Sequence, residues 1–169
     1  MNSITNLSDA AAIEKLQDLV DDIDVCLFCT NLKNDNVANC RPMSAQKVDN
    51  QGNLWFFSDI KSEKNREIKH DNQVQLFFSS PSRNSYLIIN GHAEIVLDRN
   101  ITQELWSPLV RAWFKEGKDD PNISILKVVP DSAYYWNTEG NTMFNFFKKI
   151  VTAATGKNLT ETKHLNLQL

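Results

Sequence analysis

The chain has 169 residues, 41% of them hydrophobic, with 18 basic against 21 acidic side chains and a formal charge of -3. A chain of this length can fold as one domain that buries roughly two thirds of its unfolded surface, so neither a disulfide nor a structural metal is required. The near-balanced charge argues against general nucleic-acid binding, and no stretch is apolar for long enough to span a bilayer.

Ser8 and Asp9 offer a helix cap, and Ile13, Leu16, Val20 and Ile23 recur at helical spacing, which predicts an amphipathic helix over residues 9–21 covering one end of a sheet. Residues 23–30 are rich in β-branched and aromatic side chains and read as a strand, followed by polar turn chemistry over 31–36. Residues 37–48 alternate weakly around Pro42, whose missing N–H argues for a sheet edge or a bulge. The Gly-containing run 49–53 is a hairpin connection, and 54–58 is the returning strand. Residues 62–71 read as a short polar helix with Ile68 as its one apolar side chain, so its expected value lies in its N-terminus rather than in core contact.

Strand 74–79, a turn over 81–84 and a long strand 86–97 follow, with Gly91 marking a bulge or close approach. Ile101, Leu105, Leu109 and Trp113 repeat at helical spacing, but Pro108 interrupts the pattern, which predicts two short helices with Ser107 capping the second. A turn over 117–121 leads to strands 123–129 and 133–136, separated by Pro130 and Asp131. Residues 143–151 read as a helix and the chain from Gly156 onward as polar and loosely held. No repeat or long linker divides the sequence, and the strand and turn spacing predicts a closed or half-closed β structure with peripheral helices in one domain. Its core spans about 9–137, with 138–169 a helical or loose extension.

Cys26 and Cys29 form a nominal C-x-x-C, but residues three apart on a strand point to opposite faces, and a reactive pair needs a helix N-terminus to lower a thiol pKa. These two and Cys40 therefore read as buried structural thiols. His70, His92 and His164 show no metal-ligand spacing, and no metal site is expected. The N-terminus MNSITNLSDAAAIEKL lacks the basic start and apolar core of a secretory signal, which makes the expected location cytoplasmic.

The stretch with most chemical content is RPMSAQKV, a turn, then LWFFSDIKSEK. A strand leading onto a helix N-terminus that bears Ser62 and Lys64 makes an anion site: first-turn N–H groups, the helix dipole, a hydroxyl and an ammonium converge there. The same residues also fit a capped, solvent-exposed helix with a free lysine. This stretch resembles the flavin-binding signature of the pyridoxamine 5'-phosphate oxidase-like split-barrel flavoproteins. SPLVRAWFKEGKDDPNISILKVVPDSAYYWN is similar to their general stress protein branch.

That resemblance implies a six-stranded antiparallel split β-barrel in the α+β class, a homodimer, and FMN bound at the subunit interface, with FAD as the alternative. It assigns the cofactor's phosphate to Ser62 and Lys64. Glu63 stands where relatives place a second basic residue, and Lys61 and Arg66 are the candidates to replace that charge. Arg41, Pro42, Met43 and Ser44 would lie along the flavin, Arg41 through its charge and the others partly through backbone groups. Gln46 would donate its amide to the ring edge. Phe57, Ser58 and Trp136 match family positions that meet the cofactor, although an ordinary polar strand face and a core Phe57 account for the same residues. Core or dimer packing suits Trp106 and Trp113 better than cofactor contact.

No nucleophile with an adjacent base and no dinucleotide loop can be assembled, so any redox chemistry would be the flavin's own. The leading expectation is an FMN-dependent oxidoreductase of an unidentified small molecule. The rivals are a non-catalytic flavin store or stress sensor, and a split barrel holding deazaflavin or haem. True pyridoxamine 5'-phosphate oxidases carry a C-terminal Trp followed by an Arg-Leu segment that grips the substrate. Here NTEGNTMFNFFKK follows Trp136, so pyridoxamine 5'-phosphate is not the expected substrate.

Overall fold

The computed structural model describes residues 4–6, 9–33, 37–137 and 142–147. Along these run β1 (Ile4–Asn6), α1 (Asp9–Ile23), β2 (Val25–Thr30), β3 (Asn39–Ser44), β4 (Lys47–Val48), β5 (Leu54–Asp59), α2 (Glu63–His70) and β6 (Gln73–Ser80). Then come β7 (Ser85–Val96), α3 (Arg99–Leu105), β8 (Ile123–Asn137) and β9 (Thr142–Phe147). Single 3-10 turns occupy Pro81–Arg83, Val110–Ala112 and Gly117–Asp119.

Hydrogen-bonded pairing closes a ring. β3 pairs with β2, β2 with β6, β6 with β7, β7 with β8 and β8 with β5, all antiparallel. β5 returns to β4, the continuation of β3 beyond Ala45 and Gln46. Counting β3 and β4 as one bent strand, six strands make the predicted split barrel, and β9 and β1 extend the sheet beyond the far half of β8.

Period-two alternation sorts the barrel's inside from its outside. The inner row Met43, Cys26, Phe78, Leu87 and Tyr135 runs in register across five strands, and all but the half-buried Met43 are buried. Phe28 and Phe56, both 0% exposed, meet edge to face at 5.2 Å inside the barrel. α1 closes one end, burying Leu16, Leu19 and Val20 and donating from Gln17 Nε2 to the Val48 carbonyl at 3.2 Å. α2 closes the other end.

Pro42 lies in β3, which among the described residues pairs on one side only, in keeping with its missing N–H. The Cα separation of 4.1 Å between the opposed Cys29 and Cys40 marks a non-hydrogen-bonded pair. By period two, Pro42 opposite Leu27 is another, so its nitrogen faces the free edge and no ladder bond is lost.

Several expectations need correction. Residues 123–137 form one strand, not two: the register of β7 against β8 shifts at Asn90 and Gly91, and this bulge admits Pro130 and Asp131 without ending the strand. Gly91 is also a close approach, because a Cβ there would lie 2.3 Å from the Val129 carbonyl oxygen. The part of the expected 143–151 helix that is described is strand β9, whose TMFNFF pairs with β8 and β1. Pairing along an exposed sheet edge outweighs the weak helical pattern there. The region after Pro108 forms a 3-10 turn capped by the Ser107 carbonyl accepting from Val110 N at 3.1 Å, not by the Ser107 hydroxyl. The cysteines are not all free: Cys29 and Cys40 are disulfide-bonded. Cys26 alone is a buried thiol, and burial pushes its pKa up to about 12. Ser8 and residues 148–169 lie outside the described residues.

Candidate functional site

The bent strand divides its partners. From Asn39 to Ser44 it pairs with β2, and from Gln46 its other edge takes β5, with Gln46 N donating to the Trp55 carbonyl at 2.8 Å. Beyond that point β3 and β5 separate, which leaves the outer edge of residues 40–44 unpaired among the described residues and opens a split between β3 and the C-terminal half of β5. β5 then runs through Asp59 to the first turn of α2, so the helix N-terminus stands at the mouth of the split.

Ser62 caps that helix, its Oγ accepting from Asn65 N at 3.4 Å. Among the described residues the backbone amides of Glu63 and Lys64 have no acceptor, as expected for a first helical turn. Lys64 is half-buried and forms no hydrogen bond or ion pair with a described residue. Burial, then the like charge of Arg41, hold its ammonium below the ordinary lysine range, against the weaker opposing pull of the Asp59 carboxylate. Two cations therefore converge beside unsatisfied amides, and an anion would relieve both conditions.

A buried polar cluster fixes this first turn. Asn65, 0% exposed, accepts through Oδ1 from the Ser58 hydroxyl at 2.6 Å and the Ser62 hydroxyl at 3.3 Å, and donates through Nδ2 to Ser124 Oγ at 2.8 Å. Ser124 Oγ in turn donates to the Ser58 carbonyl at 3.1 Å. Nothing in the local sequence marked Asn65. A polar residue in a polar helix carries no periodic signal of burial, and its partner Ser124 is remote in the chain.

A second cluster joins β2, β3 and α2. Arg41 Nη1 donates to Thr30 Oγ1 at 2.6 Å and to the Phe28 carbonyl at 3.3 Å, while Nη2 meets Glu67 Oε2 at 3.3 Å. Thr30 and Asn39 also donate to the Glu67 carboxylate. Burial acts to raise the Glu67 pKa, but the hydrogen bonds from Thr30 and Asn39 and the Arg41 charge hold it below the ordinary carboxylate range. Arg41 thus adds positive potential while being committed to protein partners.

The remaining sequence-selected residues fall into place unevenly. Met43 shares the inner face with Arg41, whereas Pro42 and Ser44 are exposed on the outer face. Gln46 Nε2 donates to the Ser44 carbonyl at 3.1 Å. Ser58 is 3% exposed and its hydroxyl is taken by Asn65. Phe57 is half-buried under Trp106 at 5.9 Å and Phe114 at 6.1 Å. Lys61 and Arg66 are exposed near the helix start, neither in an ion pair among the described residues.

Trp136 is not brought to this group within one chain. β5 meets β8 at Ser58–Ser124, and Trp136 lies a dozen residues further along β8, roughly 40 Å of extended strand. It sits instead on an uncovered outer sheet face. Leu27, Phe77, Ile88 and Tyr134 run in register across four strands there, next to Val25 and the Tyr86–Trp136 pair. Leu27 is 50% exposed, Val25 46%, Tyr86 40% and Trp136 37%, so the face is apolar and open in a single chain.

A barrel split along one edge with a helix N-terminus at its mouth defines the class of split-barrel proteins. Residues 11–160 match the family described as Pyridoxamine 5'-phosphate oxidase like, and the chain belongs to it. Protein bli-3 of Neurospora crassa is 25% identical over 118 residues, covering 65% of this chain and 56% of that protein. The chain spans little more than half the length, 56%, of the curated relatives it matches. The crystal structure of a protein related to general stress protein 26 of B. subtilis, from Clostridium acetobutylicum, superposes with a TM-score of 0.68 at 21% identity, covering 83% of this chain and 96% of that one. The general stress FMN/FAD binding protein of Xanthomonas citri superposes at 0.64 with 26% identity over 76% of this chain and 89% of that one. No helix among the described residues is long and apolar enough to cross a membrane.

Proposed function

We propose that this chain binds FMN, with its phosphate on the Ser62 hydroxyl, the Glu63 and Lys64 amides and the Lys64 ammonium, and with its ring along the split beside β3. The observation that carries the reading is the half-buried Lys64, which makes no hydrogen bond or salt bridge among the described residues and has Asp59 only as a coulombic neighbour, at a helix terminus whose amides are also open. The amides and the ammonium fit a phosphate in charge and in hydrogen-bonding sense, the Ser62 hydroxyl would join them by turning its proton from Asn65 Oδ1, which keeps its bond from Ser58, and the edge of residues 40–44 offers backbone groups to a heterocycle. The Xanthomonas citri relative, an FMN/FAD binding protein by name, supports the same cofactor. FAD, whose phosphates are internal, is the alternative.

The working unit in this reading is a homodimer. Its support is the open apolar face bearing Trp136, which a second copy would cover and through which Trp136 would reach the partner's flavin. Bound flavin would supply hydride chemistry on a small molecule other than pyridoxamine 5'-phosphate, with the chain binding and orienting it in the cytoplasm. The test is a visible spectrum and mass analysis of cofactor released from the purified protein, with sedimentation for mass. Two flavin bands and a dimer are expected, followed by bleaching with NADH or NADPH if the protein turns over. A flavin that resists every reductant makes it a store, a Soret band replaces flavin by haem, and a monomer removes the shared site.

A further inference from the structure

Cys29 and Cys40 stand opposite each other on β2 and β3 and are bonded, and the two sulfurs have unlike surroundings. Cys29 is 2% exposed, whereas Cys40 lies exposed on the edge strand. The neighbours of each are members of the cluster that ties β3 to α2. Thr30 follows Cys29, Asn39 and Arg41 flank Cys40, and all three bind Glu67. From Asn39 to Ser44, β3 has no strand partner but β2 among the described residues. The disulfide is therefore a covalent tie on a barrel strand whose outer edge is open along the split, and Glu67 lies one turn past Lys64 on the helix of the proposed anion site.

We infer that Cys29–Cys40 is a reversible thiol–disulfide site for a dithiol reductant, and that its state sets the affinity of the anion site through Arg41 and Glu67. A thiolate of the reductant attacks the accessible Cys40 sulfur. The Cys29–Cys40 bond breaks, and Cys29 leaves as a thiolate and takes a proton. The second thiol of the reductant, losing its proton, then displaces Cys40 as a thiol. Two electrons pass to the protein, and the reductant departs as a disulfide. In the reduced state β3 loses its covalent tie and is held by its backbone ladder and the Arg41 and Asn39 side-chain bonds, so Arg41 holds Glu67 less firmly and the first turn of α2 is less well placed for a phosphate. In a compartment kept reducing by glutathione such a bond is transient, which suits a sensor better than a structural staple.

The coupling rests on the FMN reading above, so the test has one arm that does not. Alkylation in denaturant followed by mass measurement should find one modified cysteine in air-oxidised protein and all three after dithiothreitol. Hydrogen exchange without flavin should then be faster at the Arg41 and Met43 amides in reduced protein, while α1 is unchanged. Three modified cysteines without reductant, or identical exchange, overturns the site. In the second arm, titration should show FMN bound about fivefold more weakly after reduction, as when a charge-assisted contact is loosened rather than removed. Cys40→Ser should match the reduced protein and ignore dithiothreitol. Equal affinity in both states overturns the coupling. If the first arm succeeds and FMN binds in neither state, the cofactor reading has failed and only the thiol site stands.

Discussion

Asn65 Oδ1 accepts a 2.6 Å hydrogen bond from the Ser58 hydroxyl, which joins the first turn of α2 to the last turn-facing residue of β5 inside the protein. Replacing Asn65 with Ala leaves the Ser58 and Ser124 hydroxyls buried without this partner, at a cost of about 1–3 kcal/mol. Urea denaturation should show a lower midpoint at unchanged slope. An unchanged midpoint would mean that the cluster contributes nothing to holding the helix.

Lys64 tests the anion site with the fold left in place, because it is half-buried and makes no hydrogen bond or salt bridge among the described residues. Lys64→Ala should weaken FMN by roughly tenfold to a hundredfold, the worth of one charge-assisted contact. Riboflavin, lacking the phosphate, should respond much less. Equal losses for the two ligands would show a structural effect and displace the phosphate from this turn.

Glu63 supplies the opposite sign at the same place. It is exposed, and its carboxylate faces no cation in an ion pair among the described residues. Glu63→Arg should tighten FMN by removing like charge and adding a donor, again with little change for riboflavin. The gain should shrink in high salt, because the added charge is solvent-facing.

Gly91 is constrained by space. A Cβ would meet the Val129 carbonyl oxygen at 2.3 Å, and that atom belongs to the adjoining strand's backbone. Gly91→Ala should destabilise by about 1–3 kcal/mol through forced strand displacement at the bulge. Thermal unfolding checks this, and a wild-type melting temperature would show that the bulge has slack.

Glu67 gives the acid dependence a sign. Its folded pKa lies below the ordinary carboxylate value, so its contribution is complete above that value and is lost as pH falls through the depressed one. Stability measured by denaturant at stepped pH should therefore decline below the ordinary carboxylate range. In Glu67→Gln the protein should be weaker at neutral pH and the acid decline shallower. An unchanged acid limb would assign the decline to other carboxylates, such as Asp49 and Asp71, which are also held low.

Period and turn chemistry in the sequence determined most of the barrel. The strands at β2, β5, β6 and β7, the helices α1 and α2, the edge position of Pro42 and the irregularity at Gly91 all follow from alternation, helical spacing and the limits on proline and glycine. Ser62 as a helix cap beside Lys64 was equally readable, since capping is a local interaction. What tertiary structure decided was non-local. Whether 142–147 is helix or strand depends on an edge of β8 waiting to be paired. Whether Pro130 ends a strand depends on Gly91 across the sheet, and whether Cys40 is a thiol depends on its standing opposite Cys29. Asn65 is buried because Ser58 and Ser124 arrive from two other strands, and Arg41 is committed because Glu67 comes round on α2. Each of these outcomes is set by a partner distant in the chain, and a local pattern carries no information about which partner arrives.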